Sequence, residues 1–269
     1  MLSQQIEKVN NIEARLIELF ENERKSDVPV ILSYSKKSLE LLAKFISGEI
    51  QRSVAIGIAG ESASGKSTIA HEIIESIEHY AEAHKLGKVI TRVNTDDYYY
   101  DRSEEVKKAG SMAEFVKTYD LDVPEALELD LMFYHVQQLL SGKSVMLPKY
   151  DLSGTTIRID NHTLAEPSKI IISEGLFALT EKIRNAFDFK IYVDIDTETQ
   201  KSRFFARAEE RQLGDSAKMM YKNVYDKAEI YVRPCRNNAD IVLSGAAPID
   251  SYRKFLNKIL DLITEIYFG

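Results

Sequence analysis

The spacing of apolar side chains along the chain changes near residue 53. Over the first fifty residues, apolar positions recur every three or four residues with Glu and Lys between them, which is the pattern of amphipathic helices. A Ser-Asp-Val-Pro segment at 26–29 interrupts this pattern, and a second periodic stretch covers 39–50. We therefore predict a helical N-terminal extension over residues 1–52, with two helices joined by a turn and packed on the main body or on a second subunit.

From residue 53 to residue 269, short apolar runs rich in β-branched residues alternate with helical segments. Strands that are apolar on both faces and separated by helices are typical of a parallel sheet covered on both sides. The runs that predict such strands are 54–58, 88–93, 170–172, 190–193 and 241–243. Two further runs, 144–147 and 156–159, predict a small antiparallel pair. The segment 53–269 is thus predicted to be one α/β domain with three layers.

The segment that follows the first of these strands matches the phosphate-loop pattern G-x-x-x-x-G-K-[ST] at every fixed position. Glycines let the backbone curl until its N–H groups face phosphate oxygens, and the start of the following helix adds partial positive charge. Lys66 is suited to the β- and γ-phosphates, and the Ser67 hydroxyl is suited to Mg²⁺. The residues predicted to bind the nucleotide are Gly60, Glu61, Ser62, Ala63, Ser64, Gly65, Lys66, Ser67 and Thr68.

Carboxylates follow two more of the predicted strands. Asp96 and Asp97 come after the second strand, and Glu174 ends the strand that begins at residue 170. Open parallel sheets bind their ligands at the carboxyl ends of the strands. One carboxylate can orient or deprotonate an attacking hydroxyl, and another can hold Mg²⁺ directly or through water. The pattern alone leaves open which of Asp96 and Asp97 acts on the hydroxyl.

Composition narrows the classes of function. The chain has 42 Asp and Glu against 35 Lys and Arg, and the formal net charge of −7 argues against a nucleic-acid polymer as partner. No run of about 18 apolar residues predicts a membrane span. The single cysteine, Cys235, has no partner for an intramolecular disulfide, and the N-terminus lacks the apolar core of a signal peptide. We therefore expect a cytoplasmic protein.

Six motifs, taken in order, resemble the uridine kinase and phosphoribulokinase family of phosphate-loop kinases, and within it the uridine/cytidine kinases. Besides the phosphate loop, they are Thr-Asp-Asp-Tyr-Tyr at 95–99, Tyr-Asp-Leu-Asp-Val-Pro-Glu-Ala at 119–126, Pro-Lys-Tyr-Asp at 148–151, Ser-Glu-Gly-Leu at 173–176 and Tyr-Val-Asp-Ile-Asp at 192–196. The resemblance covers about 54–245 and leaves the N-terminal extension unmatched. It implies a P-loop NTPase fold and an ATP- and Mg²⁺-dependent kinase acting on a small hydroxyl acceptor, most like the 5′-hydroxyl of uridine or cytidine.

The resemblance also implies roles for individual residues. Asp96 is implied to be the base toward the acceptor hydroxyl and to lie near Mg²⁺, which Ser67 and Glu174 would also hold. On the acceptor side, the resemblance implies that Tyr99 lines the nucleoside pocket and that Asp122 holds the ribose hydroxyls. The matching aromatic that contacts the base is Tyr150, and Arg158 stands where the family has a basic residue.

Three arginines, Arg203, Arg207 and Arg211, follow one another at four-residue intervals and so share one face of a predicted helix. This segment is similar to the family's lid, whose arginines close over the phosphates, and Arg203 and Arg207 match it better than Arg211. With Lys66 they are expected to offset charge during transfer. The alternative is a solvated charged face, because Glu209 and Glu210 lie beside them.

The sequence departs from uridine kinases at two positions near the base. Ser-Gly-Thr-Thr at 153–156 stands where those kinases carry a His, and Leu121 replaces a Phe. Other acceptors therefore remain open, namely another nucleoside, pantothenate or a sugar phosphate, although the acidic residues Asp96, Asp97, Asp120 and Asp122 disfavour a phosphorylated one. A nucleotide-binding regulatory protein is the alternative from a different class, and a homo-oligomer is also left open.

Overall fold

The computed structural model describes residues 2–151, 155–211, 214 and 216–268. The strands are β1 (Ile31–Tyr34), β2 (Val54–Gly60), β3 (Ile90–Asn94), β4 (Val145–Tyr150), β5 (Arg158–Ala165), β6 (Ile170–Glu174), β7 (Phe189–Asp194) and β8 (Ile241–Ser244). The helices are α1 (Leu2–Arg24), α2 (Lys36–Ile46), α3 (Lys66–Ala83), α4 (Ser103–Ala109), α5 (Met112–Phe115), α6 (Leu129–Leu140), α7 (Thr197–Glu210), α8 (Ser216–Lys227) and α9 (Ile249–Phe268).

The main sheet has six strands in the order β1-β8-β7-β2-β6-β3. All neighbouring pairs are parallel except β1 with β8. Each of the five predicted apolar runs overlaps one of its strands, although β3 begins at Ile90, two residues later than predicted, and this confirms the α/β fold with a mostly parallel sheet. Because β2 is central, its side chains are buried on both faces. Ala55 and Ala59 belong to one apolar core and Ile58 to the other.

The two cores lie on opposite faces of the sheet and make it the middle of three layers. Helix α6 covers one face with Met132 and Val136. Helices α3 and α9 cover the other face, where Ile69 packs in the same cluster as Tyr252 and Phe255. Because β3, β6, β2, β7 and β8 are parallel, their carboxyl ends lie at the same edge of the sheet, which is where open parallel sheets bind ligands.

The N-terminal segment contains a strand that the sequence pattern did not predict. Between α1 and α2, where we predicted only a turn, β1 pairs antiparallel with β8, so that Tyr34 lies opposite Ile241. Val30 and Ile31 are buried although β1 is an edge strand, because they pack in one core cluster with Leu39 and Phe255. Helix α2 ends at Ile46, short of the predicted residue 50. The segment packs on the main body, and the division into 1–52 and 53–269 stays a prediction.

The predicted antiparallel pair is present as the two strands β4 and β5, which form a sheet of their own. Both are longer than predicted, and β4 continues through Pro148 to Tyr150. Tyr150 lies opposite Arg158 in this pair. Since β4 packs against the short 3₁₀ helix Thr95–Tyr98 that follows β3, the hairpin brings Tyr150 to the same edge as the ends of the parallel strands.

Candidate active site

The phosphate loop joins the end of β2 to the start of α3, which is the strand-loop-helix context that its motif requires. Gly65 has a φ of 93°, in the left-handed region that favours glycine. A Cβ on Gly60 would lie 2.7 Å from the carbonyl oxygen of Val193, so this position has no room for a side chain. The Ser64 hydroxyl in the loop is buried and has no hydrogen-bond partner among the described residues. The loop backbone therefore has the tight curvature of a phosphate loop, and the Ser64 hydroxyl is available to a polar ligand.

Functional side chains from the start of α3, the end of β6 and the segment at the end of β3 meet beside this loop. Ser67 donates a hydrogen bond from Oγ to Oε2 of Glu174 over 3.1 Å. Asn94 at the end of β3 lies opposite Glu174 at the end of β6. The 3₁₀ helix after β3 then presents Asp96, whose backbone N–H donates to the Asn94 side chain. Sequence reasoning placed these residues at strand ends, and the parallel register brings those ends together.

Burial and charge shift the pKa values of Lys66 and Asp96 in opposite directions. Burial lowers the pKa of Lys66, while the negative charges of Glu174 and Asp96 act to raise it. Burial raises the pKa of Asp96, and the Lys66 cation partly offsets that rise. The two residues thus sit in one poorly hydrated site with Glu174, where each charge depends on the other for stabilisation.

The donor atoms of this site suit Mg²⁺. A hydroxyl from Ser67 and a carboxylate from Glu174 are hard oxygen ligands, and Mg²⁺ typically takes only one or two protein ligands beside phosphates and water. Within the described ranges, no group of three or more His, Cys, Asp or Glu is arranged to hold a metal ion alone. Asp96, the third predicted ligand, is close enough for its charge to act on Lys66. The residues therefore fit a metal ion held together with a bound phosphate.

Asp97 has a different environment from Asp96. Its carboxylate accepts a hydrogen bond from the backbone N–H of Tyr150 over 3.2 Å and forms an ion pair with Lys149 at 3.1 Å. Both partners are in β4, so Asp97 ties the hairpin to the 3₁₀ helix. Because Asp97 is engaged in this structural contact, Asp96 is the better placed of the two to act on an acceptor hydroxyl.

The residues predicted for the acceptor also come together. The rings of Tyr99 and Tyr150 pack with their centroids 5.2 Å apart, and burial raises the pKa of Tyr150 to about 12, so its phenol stays neutral. Arg158 donates to the backbone oxygen of Tyr99 and pairs with Glu128 at 2.9 Å. The charge of Asp122 acts on Tyr99, and burial raises the pKa of Asp122 itself. The two tyrosines, Arg158 and Asp122 thus lie near one another and make up the predicted acceptor site.

Sequence reasoning missed three residues of this region. Asn223 of α8 donates from Nδ2 to Oδ2 of Asp122 over 3.2 Å. One turn further along α8, Lys227 pairs with Asp120 at 2.6 Å. The third residue, Arg92 of β3, pairs with Glu174 at 3.1 Å. None of them lies in a motif, and the only sequence signal was the four-residue spacing of Asn223 and Lys227 on one helix face.

The predicted lid helix α7 packs directly on the phosphate loop. Arg203 donates from Nη1 to the backbone oxygen of Gly245 over 2.8 Å, close to Gly65 of the loop. Arg207 lies near enough to Lys66 for its charge to lower the pKa of that lysine. Arg211 is the C-terminal cap of α7. Arg203 therefore lies next to the loop and the charge of Arg207 acts on its lysine, while the role of α7 as a lid stays a prediction.

The two departures from the uridine kinase pattern lie in different parts of the chain. Residues 153 and 154, which begin the departure from the uridine kinase pattern, lie outside the described residues. Leu121, the second departure, packs against the core on the α6 side of the sheet.

In the part of the chain that the structure describes, no helix is long and apolar enough to cross a membrane.

Comparison with known proteins identifies the family. A sequence model of the Phosphoribulokinase / Uridine kinase family matches residues 55–248. A uridine kinase of Clostridium perfringens is 35% identical over 199 residues, which cover 72% of this chain and 88% of that protein. A uridine kinase of Vibrio vulnificus is 33% identical over 220 residues, covering 79% of this chain and 98% of that protein.

The fold agrees with this assignment. The solved structure of phosphoribulokinase from Rhodobacter spheroides matches with a TM-score of 0.53 at 13% identity, covering 72% of this chain and 71% of that chain, and so shares the fold. The phosphate loop of β2 and α3 lies within the matched residues. The chain belongs to the phosphoribulokinase and uridine kinase family and is a P-loop phosphotransferase that acts on a hydroxyl acceptor.

Proposed function

We propose that the chain is an ATP-dependent kinase that phosphorylates the 5′-hydroxyl of uridine or cytidine. The observation that carries this proposal is that Asp96 lies near both groups of residues: its charge acts on the pKa of Lys66, beside the Ser67–Glu174 hydrogen bond, and on the pKa of Tyr99. The relatives named uridine kinase, at 33–35% identity, support the choice of acceptor. A cytoplasmic location and a homo-oligomer stay predictions.

On the nucleotide side, the backbone N–H groups of the loop and the start of α3 bind the phosphates of ATP. Lys66 places its ammonium group on the β- and γ-phosphates, and Arg203 and Arg207 approach the same phosphates from α7. Mg²⁺, when bound by Ser67 and Glu174 together with the phosphates, would neutralise part of their charge. The lysine and the arginines offset the charge that develops as the phosphoryl group moves.

On the acceptor side, Asp96 accepts the proton of the 5′-hydroxyl and orients its oxygen for in-line attack. Asp122 accepts hydrogen bonds from the sugar hydroxyls, because a carboxylate is the acceptor that neighbouring hydroxyls need. The Tyr99–Tyr150 pair offers an aromatic wall to a planar base. Arg158, held by Glu128, supplies a cationic donor next to Tyr99.

The structure weakens one argument against a phosphorylated acceptor. Four aspartates, Asp96, Asp97, Asp120 and Asp122, carry the charges that would repel a phosphorylated acceptor. Asp97 pairs with Lys149 and Asp120 pairs with Lys227, so two of these four charges are compensated. Asp96 and Asp122 still disfavour an anionic acceptor, since like charges in a buried site repel strongly. A sugar phosphate therefore belongs in the test as a competing acceptor.

A panel of acceptors tests this function. ATP consumption and product mass are measured with uridine, cytidine, adenosine, pantothenate and a sugar phosphate, each with Mg²⁺ and with a chelator. We expect uridine 5′-monophosphate or cytidine 5′-monophosphate as product, with kcat/KM at least about tenfold above the other acceptors, and loss of turnover with the chelator. Preferred phosphorylation of another acceptor would refute the nucleoside assignment. Turnover that no acceptor stimulates would favour the regulatory alternative.

A further inference from the structure

The second residue of the phosphate loop, Glu61, carries a carboxylate that is only 5% exposed. Arg233 binds it through two hydrogen bonds, from Nε to Oε1 over 2.8 Å and from Nη2 to Oε2 over 3.1 Å. Arg233 begins a short helical segment, Arg233–Asn238, that follows α8 in the chain. Neither side chain has a role in the transfer proposed above, yet Arg233 binds both carboxylate oxygens of this loop residue.

The charge of Glu61 is unfavourable for the ligand of this loop. A carboxylate in a loop that binds a triphosphate adds a negative charge within about 10 Å of several others, and such a charge repels them strongly where water is excluded. The guanidinium of Arg233 cancels this charge at contact distance. Its own pKa rises above the usual value, chiefly because of the hydrogen bonds to Glu61.

Arg233 is itself held in place. Its guanidinium lies over the ring of Tyr225, with its central carbon 4.3 Å from the ring centroid, and it also pairs with Glu229. These contacts hold the guanidinium where both of its hydrogen bonds reach Glu61. The loop residue is thus held from outside the loop by a cation with little freedom to move.

Ser62, the next loop residue, is held by side chains of α7 and α8. Gln200 of α7 is fully buried and donates from Nε2 to the backbone oxygen of Ser62 over 2.9 Å. Tyr221 of α8 donates to the other end of this amide, Oε1 of Gln200, over 3.1 Å. Two consecutive loop residues are therefore fixed before any ligand is present, which lowers the conformational cost of binding.

We propose that Arg233 is a positioning residue for the triphosphate: it cancels the charge of Glu61 and holds the start of the phosphate loop in its binding geometry. The proposal rests on ATP being the phosphoryl donor and adds a residue that acts on ATP affinity from outside the nucleotide-binding motif. Removal of Arg233 leaves a buried, uncompensated carboxylate next to the phosphates. Removal of Glu61 instead leaves Arg233 paired with Glu229 alone, with one negative charge fewer beside the phosphates.

The test is direct titration of ATP·Mg²⁺ by calorimetry, without acceptor, for wild type and four variants. Arg233→Met is expected to raise the dissociation constant for ATP on the order of tenfold, and less at high salt, because the repulsion from Glu61 is electrostatic. Arg233→Lys keeps the charge and is expected to stay within a few-fold of wild type. Glu61→Gln is expected to bind ATP several-fold more tightly, and the double variant Glu61→Gln, Arg233→Met more tightly than Arg233→Met alone.

A matched control uses a second pair of the same geometry. Arg253 of α9 binds Glu72 of α3 through Nε to Oε1 at 2.9 Å and Nη2 to Oε2 at 2.8 Å, and the side chains of Glu72 and Glu61 are 7% and 6% exposed. Arg253→Met should lower the melting temperature while leaving the dissociation constant for ATP within about twofold of wild type. An equal loss of ATP affinity in Arg253→Met would mean a general loss of stability and would overturn the proposal.

Further outcomes separate this proposal from the proposed function. If wild type binds ATP and Arg233→Met binds it equally well, or if the double variant binds no more tightly than Arg233→Met, the role of Arg233 is refuted and the kinase assignment stands. If Arg233→Met fails to fold, Glu61→Gln still decides, because unchanged or weaker ATP binding by this variant contradicts the charge argument. If wild type binds no ATP, the proposed function fails, and the role of Arg233 fails with it.

Discussion

Asp96 and Asp97 are adjacent in the chain but lie in different environments. Asp96 shares a buried site with Lys66, whereas Asp97 is bound to the backbone and side chain of β4. Sequence alone could not separate them, because both follow the same strand and the partner of Asp97 lies 53 residues away. The resemblance pointed to Asp96, and the contact with Tyr150 gives the physical reason why Asp97 is less suited to act on an acceptor.

This difference gives a prediction for two isosteric variants. Asp96→Asn is expected to lower kcat at least about 100-fold, since the amide cannot accept the hydroxyl proton, with little change in ATP affinity. Steady-state kinetics and ATP titration measure the two effects. Asp97→Asn is the matched control: it should keep kcat within about tenfold but lower stability by about 1 kcal/mol through its contacts with β4. Comparable kcat in the two variants would contradict the assignment of Asp96.

The raised pKa of Asp122 predicts how acceptor binding depends on pH. Burial and the neighbouring Asp120 both favour the protonated form of Asp122. The charged form, which accepts hydrogen bonds from sugar hydroxyls, is therefore lost at a higher pH than in an ordinary aspartate. We expect the KM for the nucleoside to rise as pH falls through this raised pKa, whereas Asp122→Asn has a high KM at every pH. A wild-type KM that stays flat down to the pH at which an ordinary aspartate takes up its proton, about 3.9, would contradict this role.

At the scale of elements, α8 contacts both a residue of the predicted acceptor site and a residue that holds the phosphate loop. Its Asn223 contacts Asp122, and its Tyr221 contacts Gln200, which holds the loop. No sequence motif covers α8, and the residues that it contacts, Gln200 and Asp122, lie more than 20 positions away in the chain. Local patterns predicted the strand-loop-helix form of the phosphate loop, since its parts are adjacent in sequence. They could not predict contacts that depend on how the helices pack.

The contact of α8 with Asp122 gives an element-scale prediction. The hydrogen bond from Asn223 lowers the pKa of Asp122 against the effect of burial. Asn223→Ala removes this bond, so the pKa of Asp122 rises further and the increase in nucleoside KM begins at a higher pH than in wild type. Lys222→Ala is the control, because Lys222 is exposed and pairs only with Asp226 among its described contacts. The pH profile of KM should be unchanged in this control, and an unshifted profile in Asn223→Ala would argue against the role of α8.

At the scale of the whole molecule, the N-terminal segment is joined to the kinase fold by a shared sheet and a shared core. Strand β1 supplies the edge next to β8, and Phe20 and Leu39 pack in one cluster with Tyr252 and Phe255 of α9. The helical pattern of this segment predicted α1 and α2 because their periodicity is local. It did not predict β1, since a four-residue strand after a proline has too few positions to show a period and is defined by its partner strand.

The shared core predicts that a change far from the active site affects the stability of the whole protein. Leu39 in α2 is fully buried between the N-terminal segment and the sheet. We expect Leu39→Ala to lower the free energy of unfolding by about 2–5 kcal/mol, as is typical of a cavity in a packed core. Leu86→Ala, at a leucine that is 50% exposed, should change it by less than about 0.5 kcal/mol.

The shape of the unfolding curve then tests the predicted division at residue 52. If 1–52 and 53–269 form one cooperative unit, Leu39→Ala shifts a single denaturant transition, and fluorescence and circular dichroism shift together. ATP affinity measured below the transition should remain that of wild type, because Leu39 takes part in none of the contacts that hold the phosphate loop. Two separate transitions, with only the first shifted, would instead mean that the N-terminal segment unfolds alone. The shared β1–β8 ladder leads us to expect a single transition, because opening that ladder leaves the backbone groups of both strands without partners.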